Sequence, residues 1–174
     1  GKNEKHFQNF QSTSIFTPAF SGFVSNWRWL VTQKNIKLLW SLPEPVIISL
    51  LYSFPFRRQF RPHRLAAESK FAVVVLYLFK LVPSVVVGLK AGQLQAGSKY
   101  FYLSLPNGKR KVLVSEPMRG FAEKIQALRF LHKPDALLFP NMISSAKRKG
   151  RTDSGRRLCR IIAKIVKNAT QANP

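Results

Sequence analysis

Apolar positions along the chain gather into short blocks set apart by proline, glycine and basic clusters. Ser25 is a reasonable N-cap for a helix running to about Leu39, with Trp27, Leu30, Val31 and Leu38 near one face and Arg28, Lys34 and Lys37 elsewhere. After the Pro43-Glu44-Pro45 turn, Val46–Tyr52 is short and rich in β-branched residues, and it reads as a buried strand of a parallel sheet. Arg64–Lys70 holds helix formers, and Phe71–Phe79 is apolar and strand-like again. Strand, helix and strand in that order predict a βαβ unit.

Tyr100–Leu105, then Pro106-Asn107-Gly108, then Lys111–Val114 predicts a β-hairpin, because Asn107-Gly108 supplies the positive φ values of a tight reversal. Pro117 starts a helix with Phe121, Ile125 and Leu128 on one face, and Ala136–Phe139 is a further short apolar segment. The strongest periodicity comes last. Asp153 or Ser154 caps a helix over about 154–168, in which Leu158, Ile161, Ile162, Ile165 and Val166 recur at helical spacing. Arg156, Arg160, Lys164 and Lys167 line another face, so one side docks on protein and the other meets anions. The expected organisation is an amino-terminal extension over 1–19, an α/β core over 20–108 and a basic carboxyl-terminal extension over 109–174.

Charge changes the picture most. Against 7 Asp and Glu stand 29 Lys and Arg, a net charge of +22. The distribution is uneven: five basic and two acidic residues in 1–56, eleven and one in 57–111, thirteen and four in 112–174. At a pI near 11.1 a folded chain repels itself strongly and calls for a polyanion, nucleic acid or an acidic membrane surface. The 45% hydrophobic content, with 14 Phe and 3 Trp, argues against a wholly disordered basic tail.

A membrane reading takes Phe71–Leu89 as a span and Arg57–Arg64 as an anchor on anionic lipid, which describes a basic accessory subunit of an organellar membrane complex. Lys80 and Pro83 interrupt that run, and neither half reaches the roughly 18–20 apolar residues of a span. A buried strand is preferred and membrane insertion is disfavoured. Beginning at Gly1, the chain is compatible with a removed organellar targeting peptide.

The usual signatures of chemistry are missing. Neither a G-x-G-x-x-G run nor a phosphate-loop lysine motif occurs, and Gly88, Gly92 and Gly97 stand at other spacings. Cys159 is a single cysteine, and His6, His63 and His132 are scattered, so no zinc-type spacing forms locally. Cys159 neighbours the apolar stripe of the last helix, where a thiol serves as a small core residue. The seven carboxylates read individually as surface or helix-terminal charges. No enzyme, no cofactor and no metal are expected.

Basic clusters carry the functional signal: Arg57, Arg58, Arg61 and Arg64; Lys109, Arg110 and Lys111; Lys147, Arg148, Lys149 and Arg151; Arg156 and Arg157. A solvated basic face is the plain alternative. With so few acids most of these side chains lack an internal ion pair, and phosphate is the group such density attracts. The run Ser144–Arg157 is of the kind that orders on RNA. Phe54, Phe56 and Phe60 could stack on unpaired bases, with core packing the stronger reading.

Three segments in order resemble the ribosomal small-subunit protein two family. Phe20-Ser-Gly-Phe-Val-Ser-Asn26-Trp27 looks like its Gly-Gly, hydrophobic, Leu-Thr-Asn signature, with Ser21 and Ser25 departing from it. Leu42–Ile48 looks like its Leu-Pro-Asp strand, and Ala66–Lys70 before Phe71–Leu78 looks like its Glu-Ala helix leading into the next strand. The spacing of the first two resembles mitochondrial members. No counterpart of the family's Pro-Gly-Asn-Asp stretch stands near Val85–Gln93. The resemblance implies a partial Rossmann-like parallel sheet, a helix over Gln93–Leu105 in place of the hairpin, and no catalysis. It also implies contacts with ribosomal RNA and neighbouring ribosomal proteins, residence in the mitochondrial matrix, and a second polypeptide as one source of the missing amino-terminal half.

Overall fold

A computed structural model of the chain describes residues 19–55, 63–143 and 155–172, with side chains over 30–55, 67–143 and 155–171. Helix α1 spans Ala19–Ser41 and α2 Glu44–Ser53, joined by a bend at Leu42-Pro43. Ile36 and Leu39 are the inward side chains of α1, whereas Leu30, Val31 and Leu38 are exposed. The sequence placed those three on the packed face; the buried face of α1 lies to one side of them.

Val46–Tyr52 is helical, which overturns the strand expected there. Pro43 takes the N-cap, Pro45 falls in the first turn where no N–H is needed, and Glu44 complements the helix N-terminus. Ile47, Leu51 and Phe54 bury at i, i+4 and i+7, a helical spacing that outweighs the β-branched composition. Ser115 Oγ donates to the Glu44 carboxylate and ties this helix start to a later segment.

Phe71–Phe79 is helical too. It continues α3, His63–Phe79, without interruption, because no glycine or proline separates it from the helix formers before it. Six consecutive residues, Ala72–Tyr77, are buried. A helix enclosed on every side and a strand covered on both faces give the same unbroken apolar run. Around α3 pack α4 (Pro83–Val87), the last helix α6 (Arg156–Ala172), α5 (Arg119–Phe130) and a short turn at Pro140–Met142. The helix stops at Lys80, which adopts a left-handed φ of 52° while Leu81 N–H reaches back to Leu76 O at 3.0 Å. Lys80 Nζ lies 3.9 Å from the Tyr77 ring centroid and donates to Trp40 O at 2.9 Å, which offsets the strain of a non-glycine there. Tyr77 Oη donates to Leu42 O at 2.7 Å and Trp40 Nε1 to Leu81 O at 3.2 Å, fastening the α1–α2 corner to the end of α3. Burial, with a smaller push from Glu44, holds the Tyr77 phenol above its ordinary pKa; burial lowers that of Lys80 against the opposing pull of Glu44.

With both expected strands helical, the βαβ unit and the parallel Rossmann-like sheet give way to a mostly helical α/β arrangement. Its sheet has three antiparallel strands in the order β1 (Leu94–Ala96), β2 (Tyr100–Leu105), β3 (Gly108–Leu113). The hairpin of β2 and β3 forms where it is expected, although not with the expected turn conformation, and the helix implied over Gln93–Leu105 is absent. Its loop is Pro106-Asn107, with Leu105 paired to Gly108, and among these residues the positive φ falls on Gly108 alone, at 133°. The helix expected from Pro117 starts with a tight turn at Glu116–Met118 and runs on as α5, burying Phe121 and Ile125.

In α6 the residues foreseen as apolar, Leu158, Ile161, Ile162, Ile165 and Val166, are all buried, and α1 packs along this helix. A single cluster runs from Leu39 to Val166, so the segment after residue 109 contributes Met118, Phe121, Phe139, Met142 and Ile161 to the same core as α3. Cys159 is half-buried beside the stripe.

Candidate nucleic-acid interface

The hairpin register sorts its side chains onto two faces. Leu105 paired with Gly108 places Tyr102 opposite Lys111, Ser104 opposite Lys109 and Tyr100 opposite Leu113, all on one face. Phe101, Leu103 and Leu94 are buried on the other, over the helices. The outward face holds exposed Tyr102, Ser104, Lys109, Lys111 and Leu113, with Tyr100 half-buried among them. No acidic residue occurs in any of the three strands. Lys111 Nζ lies 4.4 Å from the Tyr100 ring centroid, and the Tyr100 and Tyr102 rings are 6.2 Å apart at 49°.

Arg110, although exposed, lies on the other side of the strand. It is paired with buried Leu103, and its Nη1 donates to Phe79 O at 3.1 Å, at the carboxyl-terminal end of α3. A guanidinium there satisfies a free helical carbonyl and complements the negative pole of the helix. The basic triplet therefore splits by strand alternation into two outward lysines and one arginine that fixes the hairpin to α3. At the opposite edge, Gln126 Oε1 accepts from Ala96 N–H at 3.0 Å, Arg129 Nε donates to Ala91 O at 3.0 Å, and Gln93 Nε2 donates to Ser104 O at 3.0 Å. Both ends of the sheet are held by side-chain bonds.

A second basic surface lies on α6. Arg156, Arg160, Lys164 and Lys167 are exposed, and successive members stand about 4.5–6 Å apart along the axis at 1.5 Å per residue. Arg157 does not join them. It is half-buried, and its Nη1 donates to Asn141 O at 2.6 Å, while Asn141 donates from its backbone N–H, at 3.2 Å, and from Nδ2 to the buried Glu68 carboxylate. That chain of bonds links α3, the Pro140–Met142 turn and α6.

The expected contact residues thus divide. Lys109, Lys111 and Arg156 face outward, while Arg110 and Arg157 hold the fold together. Arg64 lies in the first turn of α3; Arg57, Arg58, Arg61, Lys147, Arg148, Lys149 and Arg151 fall outside the described residues. Of the proposed stacking residues, Phe54 is buried at 6% exposure, and Phe56 and Phe60 lie outside the described residues. Aromatic rings do stand beside basic groups elsewhere, and on the outward face of the sheet they are Tyr100, under Lys111, and its neighbour Tyr102. Their signal was the alternation Tyr-x-Tyr-x-Ser facing Lys-x-Lys across a two-residue turn.

Among the described residues no three His, Cys, Asp or Glu side chains gather as a metal-holding group. An open groove lined in part by Lys99, Arg119, Glu123 and Gln126 separates the β1–β2 turn from α5, and Arg119 there pairs with Glu116 at 2.9 Å. No family model, no curated protein and no solved structure matches the chain.

Proposed function

We propose that this chain is a non-catalytic RNA-binding protein, a structural constituent of an organellar small ribosomal subunit, with the mitochondrial matrix as its location and rRNA phosphates as its main contacts. The observation that carries the reading is the division of α6: five apolar residues bury completely or nearly so, and four cations remain on the exposed side. Across the whole chain 29 basic residues stand against 7 acidic, and phosphate neutralises such an excess while releasing counterions. Lys109 and Lys111, on a strand fixed by Arg110, present a second set in the same manner.

The segments that resemble ribosomal small-subunit protein two lie on helices α1, α2 and α3. The assignment to a small subunit therefore leans on charge and on the order of those motifs, with neighbouring ribosomal proteins covering exposed apolar residues such as Leu30 and Leu131. The alternative, a basic accessory subunit of a membrane complex, is less well supported: Ala72–Tyr77 of its proposed span are buried in the core, and no described helix is long and apolar enough to cross a membrane.

A sucrose gradient of solubilised organelles, with and without magnesium chelation, tests the assignment when the chain and small-subunit rRNA are quantified in each fraction. The chain is expected to move with that rRNA when ribosomes dissociate. Migration with a membrane complex independently of rRNA, or retention with lipid after carbonate extraction, refutes it.

A further inference from the structure

The outward face of the three-stranded sheet is the best-defined ligand surface in the described chain, and the geometry points to an unpaired RNA strand as its occupant, one base stacked on Tyr102 and phosphates held by Lys109 and Lys111. The inference rests on the RNA-binding reading and narrows it to a place and a class of RNA.

Four observations converge. Tyr102 is 43% exposed in the middle of the central strand, where core packing would have buried it. Its cross-strand neighbour is Lys111, and Lys109 lies two residues along the same strand, about 6.8 Å away at 3.4 Å per residue. Lys111 spans Tyr100 rather than Tyr102, which leaves the ring of Tyr102 available while holding an ammonium beside it. The strands carry no acid that would repel a phosphate. Stacking needs a ring presented flat and held still, and it tolerates any base. The sheet meets the second need, because Arg110 on Phe79 O and Gln126 on Ala96 N–H anchor its two edges.

A duplex satisfies this face less well, since its bases are stacked inside and only phosphates reach the lysines. Edge lysines also discourage strand-to-strand aggregation, and that role accounts for Lys109 and Lys111 without any ligand. It does not account for Tyr102 exposed beside a half-buried Tyr100 on the same face, and the two explanations differ in what a tyrosine substitution does.

The test uses the full chain and two fluorescent probes, an oligouridine of about a dozen nucleotides, within the range of known single-strand site sizes, and an RNA duplex of the same length. Anisotropy titrations across a salt series give affinity and salt slope. Tyr102→Ala is expected to weaken oligouridine binding roughly 5- to 100-fold and to leave duplex binding within about twofold, with an unchanged salt slope; Tyr102→Phe retains wild-type affinity. Lys109→Gln with Lys111→Gln lowers the oligouridine salt slope by about one or more. Because Tyr102 is exposed, melting of the variant should coincide with wild type. If it does not, photocrosslinking of wild-type chain to thiouridine-substituted oligouridine decides, with the adduct expected on the peptide holding Tyr100 and Tyr102. Wild-type oligouridine affinity in Tyr102→Ala, equal losses on both probes, or an adduct confined to other peptides overturns the inference while RNA binding stands. Failure of the wild-type chain to bind either probe overturns the RNA reading itself.

Discussion

Replacing Gly155 with alanine probes a close backbone approach, the tightest at any described glycine. Gly155 precedes α6 with φ at 76°, and its carbonyl accepts the Cys159 N–H at 2.9 Å in the first turn of that helix. A Cβ placed there would lie 2.7 Å from the carbonyl carbon of Pro83, 2.8 Å from its Cβ and 2.9 Å from its carbonyl oxygen. Two of those three atoms are backbone at the start of α4, so no rotamer change relieves the contact. A left-handed conformation costs an alanine about 1–2 kcal/mol, and forcing one extra carbon into a packed site costs about 1–3 kcal/mol more. The sum, about 2–5 kcal/mol, is a large share of the roughly 5–15 kcal/mol that holds a typical domain folded. For a chain of 174 residues it corresponds to a fall in Tm of roughly 4–20 °C. Urea and thermal unfolding by circular dichroism measure it. Gly120→Ala is the control: it lies inside α5 with nothing within 4 Å of the added carbon, and it should stabilise by about 0.4–1 kcal/mol. Gly155→Asn separates the two contributions, since asparagine tolerates the left-handed region but keeps the Cβ. A Gly155→Ala protein that melts within a degree of wild type would refute the close approach of α6 to α4.

Three further outcomes follow from the described contacts. Arg110→Gln should lower stability by about 1–2 kcal/mol in urea unfolding and leave the salt slope of RNA binding unchanged, whereas Lys109→Gln should change the slope and not the stability. Asn141→Ala removes the Nδ2 donor from the buried Glu68 carboxylate while leaving the backbone bonds to Glu68 and Arg157 in place, and should cost about 1–3 kcal/mol by the same assay. Tyr77→Phe removes the bond to Leu42 O, worth about 1 kcal/mol. Folding raises the Tyr77 pKa above 10.0, so its contribution is full below that pH and is lost as the pH climbs through the folded value. The variant should lack this alkaline loss and the latest component of tyrosine ionisation near 295 nm. Lys80, lowered from 10.5, has the opposite sign and makes stability rise with pH just below that value in both proteins.

Local signals determined much of the chain. Helical spacing placed all five apolar residues of α6 in the core and its four cations outside, because a lone amphipathic helix has a single way to bury its stripe. Pro106-Asn107-Gly108 marked the place of the hairpin reversal, although the loop is Pro106-Asn107 and the positive φ falls on Gly108 alone. The excess of cations, 29 Lys and Arg against 7 Asp and Glu, was legible before any fold was considered and is the ground on which a polyanion partner is proposed.

Tertiary structure decided what local pattern leaves degenerate. Val46–Tyr52 is too short and Phe71–Phe79 too uniformly apolar for periodicity to distinguish a strand from a helix; the absence of any break between Lys70 and Phe71 and the burial of Ile47, Leu51 and Phe54 resolve them as helices. Basic residues adjacent in sequence also parted company. Arg110 went to the end of α3 and Arg157 to Asn141, while Lys109, Lys111 and Arg156 stayed outside. Charge is a property of the residue, whereas the partner of a charge depends on pleat alternation, helix phase and which carbonyl the packing brings within 3 Å.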